Sequence, residues 1–210
     1  MENQIRKYNI IAAILVFVGI PVLIYALGDF PRRSLLKESI SLLTILSFSL
    51  LIAQFFLARS NKKMLKSNKM IRVIKIHKII GYIFVSVILV HPILIVLPRY
   101  FEGGINPVEA FTIMLTTTDS TGVLLGITSW VLLLILGLTS FFRNKLAMKY
   151  KTWRMFHGIL SMIFISTATW HAIDLGCHTT LPISVFLLIL ATSGIILLFI
   201  TYFFKNKVII

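Results

Sequence analysis

Six apolar stretches, near residues 9 to 27, 39 to 58, 73 to 97, 121 to 142, 153 to 173 and 181 to 204, are long enough to cross a hydrocarbon core about 30 Å thick as helices. Backbone amides in lipid have no water to bond, so each such stretch must close its hydrogen bonds on itself. The expected fold is therefore all-α, a six-transmembrane helix bundle forming one domain over residues 1–210. With 58% of residues hydrophobic and 13% charged, the composition is far from that of a soluble domain. The first stretch follows a basic start, as in a signal peptide, but no small-residue cleavage site follows Leu27, so it is read as the first span.

The basic residues orient the bundle. Seventeen of the 21 Lys and Arg fall in the N-terminus, the loop at 59 to 78, the loop at 143 to 154 and the C-terminus. Arg32, Arg33, Lys37 and Arg99 lie on the other side, with six of the seven acids. The positive-inside rule then puts both termini in the cytoplasm and the chain, as a multi-pass protein, in the cell's inner (plasma) membrane. The net charge of +14 is thus largely an orientation signal, and a nucleic-acid partner is not expected. The basic loop RSNKKMLKSNKMIRVIK is a candidate dock for an acidic electron donor, set against the plainer reading of a solvated inner loop.

Chemistry enters with two histidine pairs. His77 and His91 bracket HKIIGYIFVSVILVH, and His157 and His171 bracket HGILSMIFISTATWH at the same spacing. Fourteen helical residues return a side chain to within about 40° of its starting face, roughly 21 Å further on. Two such helices running in the same direction pair His77 with His157 near one surface and His91 with His171 near the other. A lone histidine in an apolar helix is more often a core residue, but ionisable groups inside a membrane are costly, and two equal spacings argue for a function. Haem fits, because imidazole is a standard axial ligand and two histidines leave no open coordination position. This closed arrangement favours electron transfer over oxygen binding.

Phe84 and Phe164 lie midway between their histidines, placed to fill the space between two stacked macrocycles, and Gly81 and Gly158 leave room for a flat cofactor. In the outer turn GDFPRRSLLKE, and at residue 99, the candidates for haem propionates or an acidic acceptor are Arg32, Arg33 and Arg99. The plainer role for these cations is to anchor the interface.

Other expectations are structural. Pro21 should kink the first span, Pro92 should bend the third at His91, and Ser47, Ser49 and Gln54 should bond between helices. Asn106, Pro107 and Glu109 should open a short lid helix whose apolar face is Val108, Phe111 and Met114 or Leu115. Trp130 should pack beside a cofactor, Thr167 or a helix carbonyl should take the ring proton of His171, and His178 should be an exposed loop residue. The single cysteine, Cys177, permits no intrachain disulfide.

Six spans, histidine pairs on the third and fifth, and the HKIIGY start of the third together resemble the ferric reductase-like transmembrane domain of NADPH oxidases and ferric-chelate reductases. The GITSWVLLLILGLTS and KTWRMFHG stretches are also similar to the haem-binding subunit of the periplasmic methionine sulfoxide reductase system. The resemblance implies two b-type haems, one held by His77 and His157 and the other by His91 and His171. It further implies an electron-transfer subunit of an oxidoreductase. Its donor is a separate flavin reductase or quinol, with FMN or a quinone as carrier, and its extracytoplasmic acceptor is ferric iron, oxygen or a periplasmic reductase. No glycine-rich phosphate loop occurs, so flavin and nicotinamide chemistry is expected on a partner. The competing reading is a histidine-relay proton or metal transporter, although the middle parts of the spans carry none of the carboxylates such a relay would use.

Overall fold

The computed structural model describes residues 2–31, 33–57 and 70–203. Arg32 and most of the basic loop proposed as a donor dock lie outside the described residues. Every regular element described is helical: α1 (Glu2–Ile14), a π-helical turn (Leu15–Gly19), α2 (Ile20–Leu27), α3 (Leu35–Leu57), α4 (Met70–Gly103), α5 (Pro107–Thr116), α6 (Thr121–Phe141), a 3₁₀ turn (Arg143–Lys145), α7 (Tyr150–Leu175) and α8 (Leu181–Phe203). Six of these segments are long and apolar enough to span a membrane, and they coincide with the six apolar stretches.

In the first span the irregularity comes just before Pro21, as the π-helical turn that precedes α2. Proline has no N–H for the carbonyl four residues back, which is that of Phe17. Ser49 of α3 supplies the missing donor, its hydroxyl reaching Phe17 O at 2.9 Å. Ser47 and Gln54 do not bond between helices as expected. Ser47 donates to Leu43 O at 2.7 Å and Gln54 to Leu50 O at 3.3 Å, both within α3. Short hydroxyls readily back-bond to their own helix, so polarity alone does not say which serine crosses.

α4 continues through Pro92 and on past Pro98 to Gly103, beyond the expected end at residue 97. α5 opens as expected, with the Asn106 side chain accepting from Val108 N at 2.9 Å. Its packed face differs from the expected one. Ala110 is 1% exposed and Met114 half-buried, whereas Val108 is 74% exposed and Phe111 and Leu115 also face outward. The small Ala110 lets the helix lie close to the ends of α4 and α6, and the larger apolar residues take the outer side.

Five of the spans form a ring, and the first packs against α3 and α8. α3 packs on α4 and α8, α4 on α6, α6 on α7, and α7 on α8. Ile52, Leu133, Ile165 and Ile183 are among its most buried side chains. α4 and α7, which carry the histidines, make at most a slight contact with each other among the described residues.

Candidate cofactor site

All four paired histidines are half-buried. Consecutive spans alternate in direction, so the third and fifth, α4 and α7, run the same way. His91 and His171 are near enough to act on each other electrostatically.

Hydrogen bonds fix the proton on two of these rings. His171 Nδ1 lies 2.8 Å from the Gly122 carbonyl oxygen of α6. A carbonyl only accepts, so Nδ1 carries the hydrogen and Nε2 keeps its lone pair. His91 Nδ1 lies 3.2 Å from Thr44 Oγ1 of α3, whose own hydrogen goes to Ile40 O at 2.8 Å. The threonine oxygen therefore accepts from His91, and Nε2 again keeps the lone pair. His157 Nδ1 lies 3.3 Å from Ser140 Oγ of α6, an oxygen able to accept in the same way. Each acceptor sits on a helix that carries no paired histidine. An outer partner at one nitrogen, leaving the other basic, is the usual arrangement around a metal-ligating imidazole.

The glycines show where space is taken and where it is open. A Cβ at Gly126 would stand 2.6 Å from the His171 ring, and one at Gly122 would collide with Asp174 and come within 2.7 Å of Leu175. Gly122 and Gly126, one turn apart, let α7 lie close against α6 and give His171 its seat. Gly81 has no atom within 4 Å of an added Cβ, as a cofactor face requires. Gly158 does not serve that role, because Tyr202 occupies its face and donates to Arg154 O at 2.7 Å.

Other expected residues fall as follows. Phe164 belongs to the buried core and Phe84 packs against it. Trp130 donates to Leu89 O at 2.9 Å, joining α6 to α4. Thr167 does not take the proton of His171; it accepts from Ser129 at 2.9 Å and bonds back to its own helix. Arg99 is exposed. Arg33 is held within the chain: Nε pairs with Glu38 at 3.2 Å and Nη2 donates to Ser41 Oγ at 2.6 Å.

His178 is the largest departure. The expected loop residue is 4% exposed, with Nε2 3.1 Å from Glu38 Oε2, Nδ1 3.2 Å from Arg33 Nη2, and its ring edge-on to Phe30. Arginine only donates, so Nδ1 accepts, Nε2–H points at Glu38 and the ring is neutral. Burial, together with the Arg33 charge, holds its pKa below the usual histidine value, against the opposing pull of Glu38.

Trp153 lies one turn before His157 in the sequence and on α7. It stacks on the His157 ring at 5.2 Å and 27°, and donates to Thr139 O at 3.3 Å. Four residues apart, the two rings share one helix face.

Residues 43–168, which include His77, His91 and His157 but stop three residues short of His171, match the family model of the ferric reductase-like transmembrane component. The chain belongs to this family. It is also 40% identical over 165 residues to an uncharacterized protein of Archaeoglobus fulgidus, covering 79% of this chain and 90% of that protein. No solved structure matches it. As a ferric reductase-like domain it has a role in membrane electron transfer. The matched segment begins at Leu43 and so includes Thr44, the acceptor for His91, but excludes Glu38, Arg33 and His178.

Proposed function

We infer that this domain carries electrons across the membrane through two b-type haems, from a cytoplasmic flavin or quinol donor to an extracytoplasmic acceptor. Bound haem supplies a one-electron couple at each of two depths. His77 and His157 hold the inner group and His91 and His171 the outer one. The carrying observation is the tautomer setting: the Gly122 carbonyl and Thr44 each tie down a ring Nδ1, leaving Nε2 as the ligating atom at both outer histidines.

The donor set suits haem better than a bare ion. Among the described residues no three His, Cys, Asp or Glu side chains come together, so an ion would find too few protein ligands, whereas haem brings four nitrogens of its own. The sparse contact between α4 and α7 and the open face of Gly81 support the same reading. Phe84 and Phe164 exclude water midway between the two levels. On the outer side Arg99, Arg32 and the remaining valence of Arg33 serve propionates or an acidic acceptor. The excess of basic residues on the side of both termini supports a cytoplasmic inner face and a plasma-membrane location.

A pyridine haemochrome assay on fully loaded protein should give two haems per chain. His91→Ala or His171→Ala should deplete one spectral component, and His77→Ala or His157→Ala the other. One haem per chain, or a single component lost in all four variants, would rule the two-site reading out.

A further inference from the structure

At the basic end of α7 a run of rings leads from the surface to His157. Tyr150 is 61% exposed, its ring lies 5.9 Å from that of Trp153, and Trp153 stacks on His157 at 5.2 Å. The Arg143 guanidinium covers both outer rings, 5.7 Å from Tyr150 and 5.2 Å from Trp153. Its Nε is buried and makes no hydrogen bond among the described residues. Lys145, Lys149, Lys151 and Arg154 are exposed around it, and no acid occurs anywhere from residue 120 to 173.

We propose that this surface docks the acidic face of a flavin-bearing redox protein, with Tyr150 as the contact and Trp153 as the residue that bridges the contact to the inner site. The inference rests on the electron-conduit reading and locates its donor. Charge complementarity names the partner: five cations that pair with no acid among the described residues draw an acidic surface and speed its encounter. An exposed tyrosine beside an arginine is the composition of an interface hot spot. Anionic lipid would meet the cations equally well, but it leaves unexplained why the aromatic contact continues inward to His157.

The partner's reduced flavin loses one electron and the inner site gains it. No bond forms or breaks in this chain, and the phenol and indole end as they began. Trp153 is a positioning and bridging residue: the Thr139 carbonyl and the Arg143 charge fix its ring, and it in turn fixes the plane of His157.

The test uses the full chain in nanodiscs and flavodoxin, an acidic FMN protein, as the probe. Association, measured on haem-free protein, should weaken at least tenfold in Lys149→Gln/Lys151→Gln and in Arg143→Gln, and should fall steeply with added salt. In loaded protein, Trp153→Leu should leave association unchanged and slow reduction by photoreduced flavodoxin more than tenfold. Dithionite should still reduce this variant fully, and Trp153→Phe should restore the flavodoxin rate. The proposal is overturned if the charge variants bind flavodoxin as wild type does and lose only their retention of phosphatidylglycerol, or if Trp153→Leu accepts electrons at the wild-type rate. Failure to bind haem would remove the conduit reading, yet the association arm would still report on the dock.

Discussion

At the scale of single residues, the protein controls its histidines by what it places at Nδ1. Thr44→Val keeps the shape and removes the acceptor. Outer-partner losses typically cost about 10–100-fold in affinity for the ligated group, so haem titration of Thr44→Val should show a weakened outer site and an unaltered inner one. Equal affinity at both sites would mean that the threonine contact does not hold the ring. His178 gives a second prediction. It is kept neutral, with a pKa below the ordinary value, so the unfolded chain takes up its proton first as pH falls. The stability it contributes is complete above about pH 6.5 and is lost on acidification through and below that value. Thermal melts should therefore drop as pH falls below about 6.5 in wild type, and His178→Gln, already weaker at neutral pH, should show a flatter dependence. The four paired histidines were legible because spacing is a one-dimensional property. The burial of His178 was not, because its partners, Arg33 and Glu38, lie about 140 positions away across three helix ends.

At the scale of elements, two glycines set opposite tests. Gly126→Ala forces a methyl against the His171 ring and should displace it, with loss of the outer haem and little change at the inner. Gly81→Ala meets open space, so haem-free protein should melt unchanged, while inner-haem occupancy should fall if that face receives the cofactor. Undiminished occupancy would assign the face to lipid. The four-residue spacing of Gly122 and Gly126 is a close-packing motif, but its use for seating a histidine was not legible, since that depends on the rotation of α7. The six spans were legible from apolar length alone, and the Pro21 irregularity from missing-donor chemistry. The identity of the serine that compensates, Ser49 rather than Ser47, required the packing of α3 on the first span. Ser49→Ala should cost about 1 kcal/mol of stability, more than the same change at Ser47, which only returns a bond to its own helix.

On the scale of the whole molecule, the ring of spans divides the work. α4 and α7 present the histidines, α3 and α6 hold ring protons, and α8 closes the bundle through the shared core. The four histidines and their equal spacing could be read from sequence, while the division of labour could not, because the acceptors are a threonine, a serine and a backbone carbonyl, groups common in any span. The lid helix was legible as an element through its Asn106 cap and misread as a surface, since amphipathic pattern does not say which face is narrow enough to fit.

The slight contact between α4 and α7 bears on how such a protein is built. α3 packs closely on α4 and α6 on α7, while α4 meets α6 more sparingly, so the thinnest junction of the ring lies beside both ligand helices. On the two-haem reading, that junction is a seam through which a flat porphyrin slips sideways from the bilayer into a bundle already inserted. On the same reading, His91 and His171 are oriented by neighbours that need no cofactor, so the polypeptide can mature before iron reaches it and load afterwards.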